Sequence, residues 1–238
     1  LEENILSVRR RELKYSIDDL EYRVLKRKLS TVLKRDPNAN ACSSYLVRNL
    51  YFDDFKNTAY WEKEAGTYER KKYRIRIYNN DDSTIKFERK SKIGNYVHKE
   101  TTCITRQQAE QLIIGDYSFL ANSIDKLLKE FYLLTRCALM KPVVIVEYDR
   151  EAYIQPVGNV RVTFDSNLRV GFDVSEFFNK NTPVMSAFEQ TQKILEVKYT
   201  DLLPVYVKGL FPNTIRPQEA IGKFSICRSQ QMLQTGVH

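Results

Sequence analysis

The chain has 238 residues, enough for one large domain with a sizeable buried core or for two small ones. Hydrophobic residues at 42% and aromatics at 12% exclude a disordered chain, and no apolar run approaches the ~20 residues of a membrane-spanning helix. A net charge of +8 points to acidic partners: nucleic acid, phosphate compounds or anionic lipid.

Apolar-polar alternation predicts a first strand over about 9–15. Ser16 then reads as an N-cap with an acidic turn behind it, opening a helix whose stripe is Ile17, Leu20, Val24, Leu25 and Leu29. The helix ends before Asp36-Pro37, and a second strand runs over 45–52. Residues 55–64 predict a short helical turn with Tyr60 and Trp61. Strands over about 69–78 and 84–91 flank Asn79–Ser83, a turn-forming composition. A strand over 95–104 leads to Thr105, a cap for a helix over 106–113 that Gly115 stops. The longest helical pattern is 123–138, with Ile124, Leu127, Leu128, Phe131 and Leu134 on one side. Strands follow over 142–153, 158–166, 168–172 and 193–199, and a helix over 201–210. No repeat or linker divides the chain, so the expectation is one α+β domain over 1–238, with about eight mostly antiparallel strands and helices outside.

Side chains alternate faces along a strand, so Arg70, Lys72, Arg74 and Arg76 share one face while Tyr73, Ile75 and Ile77 take the other. The same parity sets Arg10, Glu12 and Lys14 against Leu13 and Tyr15, and Lys86, Glu88 and Lys90 against Ile85 and Phe87. It also sets Arg161, Thr163 and Asp165 against Val162 and Phe164, and Glu196 and Lys198 against Leu195 and Val197. On a flat antiparallel sheet such a polar face is solvated; in a closed barrel it lines an interior.

Only eight glycines occur, with no phosphate-binding glycine loop and no dinucleotide fingerprint. There is no zinc finger, RNA-binding aromatic signature or basic recognition helix, so nucleic acid is not the expected partner. Four scattered cysteines without a CxxC pair give no zinc spacing and argue against a disulfide framework, and two histidines leave little room for His-based triads or multi-His metal sites. Together with a start (Leu1-Glu2-Glu3) lacking a signal-peptide pattern, this predicts a cytoplasmic setting. Any phosphate is then held by strand-borne Arg and Lys.

The set Arg10-x-Glu12-x-Lys14-Tyr15, Arg74-x-Arg76, Glu88-x-Lys90, Tyr148-x-Arg150, Arg161, Glu196-x-Lys198 and Gly222-Lys223-Phe224 resembles the polyphosphate polymerase (VTC) domain of the triphosphate tunnel metalloenzyme superfamily. The resemblance runs from about residue 8 to about residue 228. It implies a closed tunnel of antiparallel strands with a basic lining and synthesis of inorganic polyphosphate from ATP with Mn2+ or Mg2+. Some members work beside membrane-embedded subunits; nothing in the residues sets the oligomeric state. Two positions depart from the wider pattern: Arg10 replaces the first Glu of the superfamily's ExExK, a change common in VTC domains, and Gly222 replaces the usual Ser before Lys223.

Carried over by position, the resemblance makes Lys14, Arg74, Arg76, Lys90, Arg150 and Lys223 the residues that act on the phosphates. Arg10, Lys99, Tyr148, Arg161 and Lys198 are further substrate-binding residues, Lys99 only if its strand is in register. Glu196 is the expected metal ligand. Glu12 either assists it or pairs with a cation across the tunnel, and Glu88 balances charge. A triphosphate hydrolase on the same scaffold, or a polyphosphate or inositol-phosphate binding module without turnover, are the alternatives.

Overall fold

The computed structural model describes residues 10–37, 44–94, 96–188, 191–200, 202–211 and 218–236, with the side chain of Arg10 outside the described set. The strands are β1 (Arg10–Ile17), β2 (Lys34–Arg35), β3 (Tyr45–Asp53), β4 (Glu69–Tyr78), β5 (Asp81–Ile93), β6 (Tyr96–Ile104), β7 (Lys141–Gln155), β8 (Val160–Gly171), β9 (Met185–Ser186) and β10 (Lys193–Thr200). The helices are α1 (Asp19–Val32), α2 (Thr58–Glu64), α3 (Arg106–Ile114), α4 (Ser118–Ala121), α5 (Lys126–Cys137), α6 (Val205–Lys208) and α7 (Lys223–Thr235).

All strands join one antiparallel sheet in the order β1-β10-β8-β7-β3-β4-β5-β6, with the short β2 beside β7 and β9 beside β8. The α+β class is as expected. The closed barrel is met only in part: among the described residues no ladder joins β6 back to β1. Side chains bridge that gap, Lys90 Nζ of β5 donating to Glu12 Oε2 of β1 at 2.9 Å.

Outward faces make the core. Tyr73, Ile75, Ile77, Ile85 and Phe87 pack under α3 and α5, where Phe131 lies 4.8 Å from the Phe87 ring and 5.0 Å from Phe52. Burying one such phenylalanine stabilises the fold by about 1.5–3 kcal/mol. Val162, Phe164, Leu195 and Val197 pack under Leu25 and Leu29 of α1.

Several boundaries differ from the sequence reading. β1 continues to Ile17, because Ser16 and Ile17 still pair with Ile194 and Lys193. The N-cap of α1 is therefore Asp18, in a capping box with Glu21. Leu20 and Val24 are exposed at 72% and 44%, since the face of α1 that reaches the sheet carries Tyr22, Leu25 and Leu29. Asn79 and Asn80 alone make the β4–β5 turn, both at positive φ (51° and 53°). Asp125 caps α5 and leaves Ile124 outside it, exposed. The two strands expected over 158–172 are one, β8, and the helix expected over 201–210 shrinks to α6. Thr105 and Gly115 cap α3 as expected.

Candidate active site

The sheet's charged face lines a partly open cavity of about 1100 Å3. Its lining includes Glu12 and Lys14 from β1, Arg70, Lys72, Arg74 and Arg76 from β4, and Lys90 and Lys92 from β5. Tyr148 and Arg150 from β7, Glu196 and Lys198 from β10, and Lys223 from the start of α7 complete the part used below. All the residues expected from the sequence are thus together except three. Lys99 and Arg161 are outside the lining, and the Arg10 side chain lies outside the described residues.

Cross-strand register decides which charges meet. Lys14 stands opposite Glu196 and Glu12 opposite Lys198 on the β1–β10 ladder. Lys14 Nζ reaches Glu196 at 3.4 Å and Glu12 at 3.7 Å; Lys198 Nζ reaches Glu196 at 3.0 Å and Glu12 at 3.6 Å. Burial favours a neutral Glu196, but Lys198 and Lys14 outweigh it and hold its carboxyl well below the usual range.

Arg74 stands opposite Glu88 on β5 and donates to it at 2.7 Å while also donating to the Tyr51 hydroxyl at 2.9 Å. Arg76 donates to Asn49 at 2.7 Å and reaches Glu88 at 3.7 Å. Against burial, Arg74, Arg76 and Lys99 keep Glu88 ionised far into acid. Lys99 therefore neutralises Glu88 from the exposed side, at 2.9 Å, instead of lining the cavity. Arg161 is likewise engaged elsewhere, with Asp36 at 2.6 Å and the Tyr45 hydroxyl at 2.9 Å.

Asp165 grips Arg150 through two bonds of 2.6 and 2.7 Å and Lys223 through a third contact at 2.6 Å. Arg150 also reaches Glu196 at 3.5 Å. Sequence parity placed Asp165 on the charged face without a role, and α7, which delivers Lys223, was not anticipated. Its signal was present: Phe224, Cys227 and Gln231 at helical spacing, all buried, with Gly236 as stop.

Lys72 differs from these residues. It stands opposite Lys90, its ammonium lies 4.6 Å from the centre of the Phe224 ring, and burial with Lys63 and Arg70 pushes its pKa down to about 7. Burial also pushes Lys90 down to about 8, Lys14 and Lys198 adding to it against Glu12.

The model of the VTC domain family matches residues 9–231. The chain belongs to this family. Two solved structures carry the same fold. One, from Hippeastrum, is an adenylyl cyclase candidate with a dominant triphosphatase activity; it aligns at TM-score 0.54 and 17% identity, over 93% of this chain and 95% of its own. The other, an adenylate cyclase candidate from Bacillus halodurans, aligns at 0.51 and 12%, over 87% and 92%. No curated protein sequence matches the chain.

Membership of the VTC family implies phosphate chemistry with a divalent cation, and the donor chemistry of this cavity fits one. Glu196 and Glu12 converge on the same two lysines, and Glu12 Oε1 is buried without a hydrogen bond. Among the described residues no three His, Cys, Asp or Glu side chains gather into a cage. Such a site suits Mg2+ or Mn2+, which take one or two carboxylates and draw their other ligands from phosphate and water. Among the described residues no helix is long and apolar enough to cross a membrane.

Proposed function

We propose that this VTC domain transfers the γ-phosphoryl group of ATP to the end of a phosphate chain and so makes inorganic polyphosphate. What supports the reading most is the convergence of Lys14, Arg74, Arg76, Lys90, Arg150, Lys198 and Lys223 on one cavity beside the paired carboxylates of Glu12 and Glu196. Phosphoryl transfer asks a protein for positioning and for stabilisation of charge on the transferring oxygens, and needs no protein nucleophile. Arg74 and Arg76, anchored by Glu88, Asn49 and Tyr51, are pre-set donors for phosphate oxygens, and Arg150 and Lys223 form a second such pair around Asp165. Glu196, assisted by Glu12, would hold the divalent cation, Mn2+ or Mg2+, which would supply positive charge to offset that of the phosphates. We place this chemistry in the cytoplasm, where Cys103, Cys137 and Cys227 stay reduced, with a membrane-embedded partner subunit compatible with the same reading.

The second reading, hydrolysis of a triphosphate, is favoured by the triphosphatase activity of the Hippeastrum protein that shares the fold. Incubation with ATP and Mn2+, resolved on a gel, separates the two: a ladder of long polymer supports synthesis, and orthophosphate alone supports hydrolysis. Glu196→Gln is expected to abolish either product and leave anion binding in place. Tripolyphosphate at ~100 times its Kd is expected to add about 2.7 kcal/mol of stability. A thermal shift no larger than that of chloride at equal ionic strength would remove the cavity from consideration.

A further inference from the structure

Beside Glu196 the sheet carries a polar group with no role in the chemistry above. Thr163 of β8 shares the inward parity of Arg161 and Asp165, while Val162 and Phe164 pack outward under α1. Thr163 is fully buried, at 0% exposure, and its hydroxyl has no hydrogen-bond partner among the described residues. A buried hydroxyl without a partner is costly, so its retention calls for a physical reason. Four residues stand in one row across the ladders: Lys14 of β1 opposite Glu196 of β10, Glu196 opposite Thr163, and Thr163 opposite Ala152 of β7. Side chains paired in this way have Cβ atoms about 4.5–5.5 Å apart, within reach of each other. Ala152 offers the hydroxyl nothing. Asp165 is taken by Arg150 and Lys223, and Arg161 by Asp36 and the Tyr45 hydroxyl. Glu196 is the polar neighbour left in the row, and its carboxylate is engaged by Lys198 at 3.0 Å, Lys14 at 3.4 Å and Arg150 at 3.5 Å.

We propose that Thr163 is a positioning residue for Glu196, its hydroxyl donating to the carboxylate once a divalent cation has displaced the lysines from it. The proposal rests on the cation-dependent phosphoryl-transfer reading above and adds a residue that acts through Glu196 without touching phosphate. A cation on Glu196 competes with Lys14 and Lys198 for the same oxygens, because like charges exclude one another. A carboxylate parted from its lysines needs another donor to hold its orientation, and carboxylates that ligate metals are themselves hydrogen-bonded. The bonds made by Lys198, Lys14 and Arg150 leave the hydroxyl unpaired. A cation on Glu196 gives it a partner.

Two consequences run in opposite directions. Valine has the shape of threonine without the hydroxyl, so Thr163→Val relieves an unmet desolvation cost and stabilises the domain measured with chelator. The same change deprives Glu196 of its donor, and losing such a partner lowers metal affinity about 10–100-fold. A hydroxyl that served an existing bond would give the reverse sign in stability and no loss specific to the metal.

The test compares wild type, Thr163→Val and Thr163→Ser by calorimetric titration with the β,γ-imido analogue of ATP, once with Mn2+ and once with EDTA, and by urea unfolding in EDTA. Thr163→Val is expected to raise the urea midpoint, to bind the Mn2+-loaded analogue about tenfold more weakly, and to bind the metal-free analogue as wild type does. Thr163→Ser keeps the hydroxyl and is expected to restore wild-type binding of the loaded analogue. A Thr163→Val variant that binds the loaded analogue as wild type does, weakens both forms equally or unfolds at lower urea would overturn the role of Thr163 and leave the phosphoryl-transfer reading intact. Failure of Thr163→Ser to restore binding would do the same. Wild type that binds neither form of the analogue would overturn both.

Discussion

The two halves of β4 carry the same residue types and meet opposite fates. Arg74 faces Glu88 across the ladder, whereas Lys72, one inward position earlier, faces Lys90. Like charges about 4 Å apart repel by about 4 kcal/mol at an effective dielectric of about 20. A protein can settle such charge internally, as Glu88, Asp165, Glu196 and Glu12 do in one half of the cavity, or leave it for a ligand to settle. The first choice gives rigid, pre-aimed donors. The second gives a region whose charge and stability change when an anion enters.

The sharpest way to break this contrast is to remove a carboxylate from the settled half. Asp165→Asn leaves the buried Arg150 and Lys223 without their shared anion, and loss of one partner of a buried pair costs about 3–5 kcal/mol. Urea unfolding should show that loss, with partial recovery on adding tripolyphosphate. A cost below ~1 kcal/mol would mean that Arg150, also 3.5 Å from Glu196, does not depend on Asp165.

How much of this was legible in the sequence follows from period and register. A period of two is local, so the inward set Arg70, Lys72, Arg74 and Arg76 could be read directly, as could the core set Tyr73, Ile75 and Ile77. Register is not local. Nothing in the order of residues said that Arg74 would meet Glu88 and Lys72 would meet Lys90, nor that Asp165 would serve two cations. The same limit explains Arg161 and Lys99. Both have the right parity, but the neighbours that engage them, Asp36 with Tyr45 and Glu88, belong to other segments. Helix α7 was missed because its buried positions include Gln231 and Ser225, which blur the apolar stripe.

In the other half the sign reverses. The folded state holds Lys72 at a pKa of about 7, below the ordinary lysine value, so from there upward the unfolded chain binds more protons. Stability then rises with pH, by about 1 kcal/mol between pH 7 and 8 for this group, and the penalty is fully present below pH 7. Lys72→Met should stabilise the anion-free domain at pH 7 and flatten the profile through pH 8, read by urea midpoints. An unchanged slope in the variant would show that the crowded lysine is not what titrates.

The smallest effect sits where the two halves meet, at Gly222. The family's usual Ser is absent there, and Ser225 fills the space: a Cβ on residue 222 would lie 2.7 Å from Ser225 Oγ, which now donates to the Gly222 carbonyl at 3.1 Å. Serine is at least as good an N-cap as glycine, by a few tenths of a kcal/mol, so capping alone predicts that Gly222→Ser is neutral or slightly favourable. The close approach predicts the contrary, a loss of about 1 kcal/mol from overpacking. Ser225→Ala removes the clashing oxygen, so Gly222→Ser in that background should cost nothing. The double-mutant cycle isolates the coupling. Equal effects in both backgrounds would mean that Ser225 and Lys63 simply move aside, and that the missing hydroxyl can be restored without rebuilding the start of α7.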